Sequence, residues 1–407
     1  MDINKIIPAL RSNIFADEKV IDGKEYFILS DPNKYADQPL ALPADYIPLL
    51  QFFNGKFTIN VVLNLFRHEY QINFDIEILK SLINTLDQMC FLDSSYFGFI
   101  KQEVDYYRIS PVRKPVCTVQ SYPAAKEEFA DYVRSIIESS SKDGIQGNAT
   151  GIIIPHIDYN LGTQVHEIYS AAYRAIQDSE PELVVILGTS HRSENDFFIP
   201  TTKHFETPAG IVMTDSDLVN KMYKEFGDII TKDDILHRTE HSIEYATIVL
   251  QQLFKDRKFQ ILPILIGSFY EFVNKSCSPK SDFRISGFIE KLSNLLKNCG
   301  KKMIIIASVD LAHIGRKFGD NFDAEEQLDN LEKEDANLIE LIINNKPEEF
   351  FNEIIKCSDN RRICGLSPIY IFLTLLANAR GEFLKYGQWS ELETKSAVSF
   401  ASLAFYD

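Results

Sequence analysis

Gly151-Ile152-Ile153-Ile154-Pro155-His156 opens the part of the chain whose pattern decides the fold: an apolar run, a proline that ends it, and a histidine. An apolar run followed closely by a histidine returns twice. Leu183-Val184-Val185-Ile186-Leu187 leads into Gly188-Thr189-Ser190-His191, and Met303-Ile304-Ile305-Ile306-Ala307 leads into Ser308-Val309-Asp310-Leu311-Ala312-His313. A fourth run, Ile261-Leu262-Pro263-Ile264-Leu265-Ile266, lies between them, and Ala397 to Phe405 suits a closing strand. Continuous apolar runs alternating with helix-period stretches predict an α/β domain, a central mostly parallel or mixed sheet covered by helices on both faces. Pro263 predicts an edge position or a bulge for its strand.

In open α/β sheets ligands bind beyond the carboxyl ends of the strands, so residues just past different strands converge although far apart in sequence. Any one histidine there reads most simply as a loop residue that satisfies a backbone carbonyl. Three of the chain's eight histidines stand in equivalent places, however, and neutral imidazole is the commonest biological metal ligand. His156, His191 and His313 are therefore candidate metal ligands. Cys364 is the fourth. In Ile363-Cys364-Gly365-Leu366-Ser367-Pro368 it precedes an apolar helix with Ser367 as expected N-cap and Pro368 as first helical residue, where the helix dipole favours thiolate.

Glu240-His241-Ser242-Ile243-Glu244 opens another helix with Thr239 as expected N-cap and both carboxylates on one face. Those carboxylates either serve the dipole or, with His241, orient ligands, move protons or hold substrate. Asp310, three residues before His313, and Asp158, two after His156, are expected to accept a spare imidazole N–H or to line the pocket. His68, His166, His204 and His237 lack such placement and read as surface or core residues.

Outward toward the N-terminus the pattern changes. Pro111 and Pro115 mark an extended connector, Ser121-Tyr122-Pro123 opens a helix through about Ser139, and Ser139 to Gly144 reads as a surface loop. A boundary near Ser110 divides an accessory domain, 1–110, from the α/β domain, 111–407. Within the first, Asp45 to Phe91 is helical in pattern, with Asp45 and Asp75 as N-caps and Ile76, Leu79, Ile83 and Leu86 at helical spacing. Tyr26 to Leu29 and Tyr96 to Ile100 read as short strands. Helices flanked by strands describe a winged-helix-like module, either similar to PqqD-like peptide-recognition domains or a generic accessory domain.

With 407 residues the chain is long enough for two domains. Its formal charge of -16 repels phosphate backbones and anionic membranes, so nucleic acid and membrane are not expected partners. No apolar run reaches the roughly 20 residues of a membrane span, and Met1-Asp2-Ile3-Asn4-Lys5 does not read as a signal peptide, so a cytoplasmic location is expected. The six cysteines form no CxxC pair, which argues for reduced thiols and against a zinc ribbon or a disulfide framework.

Pro155-His156, Leu187-Gly188-Thr189-Ser190-His191, Glu240 to Glu244, Ser308 to His313 and Ile363-Cys364-Gly365 together resemble, in order and spacing, the Memo family across about Pro111 to Asp407. That family includes the mediator of cell motility and the microbial AmmeMemoRadiSam system protein B, and its fold resembles LigB-type non-haem iron extradiol dioxygenases. The resemblance implies that His156, His191 and Cys364 match metal-ligand positions, while His313 completes the pocket and acts as acid/base. Two departures stand out. Ile157-Asp158 replaces a common Ala-Gly pair, and Arg192 follows His191 where a second histidine is common.

The implied cofactor is one divalent metal ion, taken as iron with copper and zinc as alternatives, because a thiolate in place of a carboxylate softens the site. The implied activity is that of a metal-dependent oxidoreductase, with catalytic candidates His313, Glu240, His241 and Asp310. The alternative is a binding or adaptor protein that captures a peptide or small anionic ligand in the same pocket. The family's system name further implies a functional link with a radical SAM enzyme and an AMMECR-type protein.

Overall fold

A computed structural model describes residues 2–71, 74–142, 144–193 and 196–407. The chain divides into two compact units, Met1–Ser110 and Pro111–Asp407. The first carries an antiparallel sheet in the order β1 (Phe15–Ile21), β2 (Lys24–Ser30), β3 (Leu40–Pro43), then α1 (Ile47–Leu50), α2 (Ile59–Tyr70), α3 (Ile76–Gln88) and α4 (Ser95–Ile109). Asp75 caps α3 as expected, accepting from Glu77 N at 2.9 Å. Leu79, Ile83 and Leu86 then enter a core with Leu29, Leu49 and Phe91.

Two expectations fail here. Tyr96 to Ile100 is no strand but the first turns of α4, because Ser94 accepts from Phe97 N at 3.1 Å and starts a helix that buries Val104 and Tyr107. An aromatic run carries strand propensity, and a cap with an apolar stripe three residues apart overrides it. Asp45 does not cap a helix either. It sits inside the single 3-10 turn Ala44–Tyr46, preceded by Pro43 without a side-chain cap.

The second unit starts with β4 (Val112–Arg113) and α5 (Lys126–Ile137), then β5 (Gly151–Ile154), α6 (Thr163–Ile176) and β6 (Leu183–Thr189). Short strands β7 (Phe198–Pro200), β8 (His204–Thr207) and β9 (Gly210–Val212) precede α7 (Ser216–Glu225) and α8 (Ser242–Leu253). Then come β10 (Gln260–Ile266), α9 (Tyr270–Asn274), α10 (Phe283–Asn298), β11 (Met303–Ser308) and β12 (His313–Gly315). Helices α11 (Leu328–Ile343), α12 (Pro347–Lys356) and α13 (Leu366–Leu375) lead to the hairpin of β13 (Arg380–Glu391) and β14 (Ser396–Tyr406). The α5 helix begins later than expected because Ser121 and Tyr122 are engaged elsewhere, with Asp158 and Glu244 respectively. Asp143 of the expected 139–144 loop lies outside the described residues.

The large sheet runs β12-β14-β5-β11-β6-β10-β7, with β13 paired to β14. β5, β11, β6 and β10 are mutually parallel, whereas β7, β12, β13 and β14 pair antiparallel, so the sheet is mixed. Leu183, Val185 and Leu187 of β6 face one core with α10 and α13, and Val184 and Ile186 face another with α5, α6 and α8. That is why the strand reads as an unbroken apolar run. Pro263 is tolerated because β7 pairs only with Ile264 to Ile266, beyond it. The closing strand β14 lies inside the sheet, with β13 along one edge and β12 and β5 pairing with its first and last residues along the other. Among the described residues no helix is long and apolar enough to cross a membrane.

Gly188 lets α8 settle on β6, since a Cβ there would lie 2.6 Å from both Ile243 Cγ1 and Ser242 Oγ. Gly188→Ala is therefore expected to destabilise the unit by about 1–3 kcal/mol through overpacking. Chemical denaturation checks this; a midpoint unchanged from wild type would mean that α8 does not need the close approach.

Candidate metal centre

The parallel neighbours β5, β11 and β6 end side by side, so the residues that follow them meet. His156 follows β5, Asp310 follows β11 and His191 follows β6, while Cys364 arrives from the turn before α13. One ligand atom from each of His156, His191 and Cys364 lies within 4.8 Å of the other two. Cys364 Sγ stands 3.4 Å from His156 Nε2, and the two imidazoles are 4.9 Å apart between centroids.

The outward nitrogens are committed. His156 Nδ1 lies 3.0 Å from Ser308 O, and since a carbonyl only accepts, Nδ1 carries the proton and Nε2 keeps its lone pair. Burial, followed by the neighbouring His191 and His241, holds His156 well below its usual 6.5, so it stays neutral. His191 Nδ1 lies 3.0 Å from both oxygens of Glu240, which likewise leaves Nε2 as a donor. Burial pushes His191 down, but the hydrogen bond and charge of Glu240 outweigh it and raise its pKa.

Glu240 is the hub. Its carboxylate also accepts from the backbone N–H of His191, His241 and Ser242 at 3.0, 2.8 and 3.1 Å, and His241 Nδ1 lies 3.2 Å from one of its oxygens. Burial opposes its ionisation, yet His191 and His241 hold the carboxyl well below the usual range. Glu240, not Thr239, thus takes the free N–H groups at the start of α8, while Thr239 Oγ1 accepts from Arg192. His241 stacks on His191 at 4.9 Å and meets His156 edge-on at 5.2 Å. His191, Glu240 and His241 form a second group of converging donor atoms. Because Glu240 hydrogen-bonds the His191 imidazole and the backbone N–H of His241, this group reads as the bracket that orients His191.

Asp310 accepts from His156 N at 3.0 Å, and its other oxygen lies 3.6 Å from His156 Nε2, so it faces the donor side of the ring and not the spare N–H. Burial raises its pKa to about 7. Asp158 is directed elsewhere, accepting from Ser121 Oγ at 2.8 Å and Asn160 N at 2.9 Å. His313 is not among the atoms within 4.8 Å of one another. It lines the same cavity, with its N–H to Arg361 O at 2.7 Å and Nδ1 3.2 Å from Arg362 O. Burial and the nearby His191 lower its pKa to about 4.

The expectation for Cys364 is corrected. Burial, then the charge of Asp310, pushes its thiol well above the ordinary 9. The helix begins at Leu366 after Gly365, and Ser367 turns its hydroxyl to Phe269 N at 2.8 Å instead of capping. Pro368 is the third helical residue. Desolvation of the thiolate outweighs a screened dipole.

Glu244, the other carboxylate of that motif, serves structure. It is fully buried against Arg113 and accepts from Val116 N and Cys117 N, both at 2.9 Å, and from Tyr122 OH at 2.5 Å. Arg113 also donates to His237 O at 2.8 Å and Glu240 O at 2.5 Å. Nothing local in Pro111-Val112-Arg113-Lys114-Pro115 marks that role, because its partners lie more than 120 residues away. His166 and His237 hydrogen-bond backbone carbonyls, as expected of structural histidines.

The set fits a metal ion on its own chemistry, with two imidazole lone pairs and one sulfur converging and the outer nitrogens held by acceptors. A cavity of about 510 Å³ opens over His191, His313 and Cys364. The class defined here is an α/β protein with a candidate mononuclear His-His-Cys metal centre at the carboxyl ends of its parallel strands. The family model described as Memo-like protein matches residues 113–404, and the chain belongs to that family.

A MEMO1 family protein of Aquifex aeolicus is 28% identical over 386 residues, covering 93% of this chain and 96% of that protein. Those of Nitrosopumilus maritimus and Methanosarcina barkeri are 28% and 27% identical, each covering 72% of this chain and 99% of the relative.

Proposed function

We propose that the second unit is a metal-dependent oxidoreductase related to LigB-type dioxygenases, with His156, His191 and Cys364 as donors, His313 as acid/base, and iron as the ion, copper and zinc being the alternatives. The convergence of those three donor atoms within 4.8 Å carries the reading. A divalent ion there would supply Lewis acidity to an oxygen-bearing ligand. The protein does the rest. Glu240 fixes the His191 ring through Nδ1, and Arg362 O fixes His313 so that its Nε2 lone pair can take a proton from a molecule in the cavity. Asp310, against His156, is a second group able to hold a proton.

We further propose a cytoplasmic location, a winged-helix-like first unit and, from the family matched over residues 113–404, a functional link to radical SAM and AMMECR-type proteins. Elemental analysis of the purified protein, beside anaerobic iron loading and an oxygen-uptake assay, tests the main one. Stoichiometric metal with substrate-dependent oxygen uptake is expected. Metal without uptake would favour the binding reading or a hydrolytic zinc site, and absence of metal under all loading conditions would end the proposal. Glu240→Gln is expected to weaken metal affinity about 10- to 100-fold, as loss of an orienting partner does. A metal titration reads this, and an unchanged affinity would remove Glu240 from the assignment.

A further inference from the structure

Among the described residues, the cavity over His191 and Cys364 has one arginine in its wall, Arg362, and two of its five guanidinium N–H groups are uncommitted. Arg362 lies between α12 and α13, and its guanidinium pairs end-on with Asp320, Nη2 to Oδ1 at 2.7 Å and Nη1 to Oδ2 at 3.1 Å. Nη1 also reaches His313 O and Asn360 O, both at 3.1 Å. A guanidinium has five N–H groups in a planar fork. These contacts use both protons of Nη1 and one of Nη2. Nε–H and the second Nη2–H, which share the lateral edge, have no acceptor among the described residues, and Nε is not sealed from solvent.

Arg362 lines the cavity, and that edge is a two-donor, charged fork held in place by Asp320, which itself accepts from Gly315 N at 2.8 Å. The backbone around it is held against its preference. Ser358, Asp359 and Arg362 adopt φ of 51°, 50° and 52°, a left-handed conformation unfavourable to residues with a Cβ. The N-terminal turn of α13 faces the same cavity and adds the positive end of its dipole. Asp359, on the same wall, turns one oxygen to Ile363 N at 2.9 Å.

We infer that this protein takes a small carboxylate-bearing molecule, whose carboxylate sits on the Nε–Nη2 edge of Arg362 while its other end approaches His191 and Cys364. A planar fork meeting a carboxylate through two parallel hydrogen bonds is the strongest neutralising contact such an edge can make. A cavity of about 510 Å³ is in the range for one small ligand. The inference rests on the proposed function in taking this cavity as the substrate site, but carboxylate binding does not require the metal.

Calorimetry on the metal-free full chain tests it with acetate, benzoate and phenylacetate, each beside its uncharged amide. At least one carboxylate is expected to bind about 10-fold or more tightly than its amide. Arg362→Gln should bring that ratio to about one, and Arg362→Lys, which keeps charge but loses the fork, should retain part of it. The inference is overturned if wild type prefers none of the three acids, or if Arg362→Gln keeps the preference with an unchanged thermal melt. If Arg362→Gln does not fold, Arg362→Lys decides, and a full wild-type ratio there overturns the fork. Metal content measured on the same proteins separates the two readings: a carboxylate preference in a protein that never takes metal sinks the oxidoreductase and leaves this site standing.

Discussion

Cys364→Ser and His191→Ala proteins are each expected to carry about a tenth or less of the wild-type metal while melting near the wild-type temperature. The loss follows from the donor count, because each change removes one of three converging lone pairs, and even loss of a partner outside the ligand set weakens metal sites about 10- to 100-fold. Serine does not ionise at neutral pH as a metal-bound thiol does. The fold should survive because neither side chain is part of the packed sheet: His191 is about one-third exposed, and Cys364 sits in the turn before α13. Elemental analysis beside circular dichroism decides the matter. Wild-type metal in both variants would refute the assignment. Because the Cys364 thiol is protonated in the metal-free fold, metal binding should also release a proton, so affinity should rise with pH.

Arg113→Ala is expected to destabilise the second unit more than any change at the metal site, by about 3–5 kcal/mol, because it leaves Glu244 as an uncompensated buried charge. It also frees the carbonyls of His237 and Glu240 and loosens the start of α8, which carries the bracket around His191. Burial works against the Glu244 carboxylate, but Arg113 and the donors around it hold its pKa below the ordinary 4.5. The unfolded chain therefore takes up a proton at a pH where the fold still keeps Glu244 ionised. Its contribution is complete above about pH 4.5 and declines as the pH falls below that. Denaturant titrations at neutral and acid pH read both effects. A loss under about 1 kcal/mol in Arg113→Ala, or wild-type and variant curves that fail to converge toward low pH, would show that the pair is not what anchors this corner.

What the sequence by itself determined was whatever depends on near neighbours and on period. The parallel strands were legible as apolar runs because β5, β6, β10 and β11 are buried on both faces, and the histidines after them were legible because parallel strands all end at one side of the sheet. Asp75 was legible as a cap because its partner is two residues away. Tyr96 to Ile100 misled because strand propensity and helix capping compete over the same few residues, and only the buried stripe that follows decides between them.

Tertiary structure decided everything set by the medium around a group or by partners distant in the chain. That Glu240 brackets His191 while Glu244 anchors Arg113 cannot be read from a motif in which both lie on one helical face, since their partners come from β4 and from the end of β6. The Cys364 thiol shows the same limit: its position promised a thiolate, but desolvation by the surrounding fold raises its pKa, and burial is a property of the whole packed unit and not of the six residues around the sulfur.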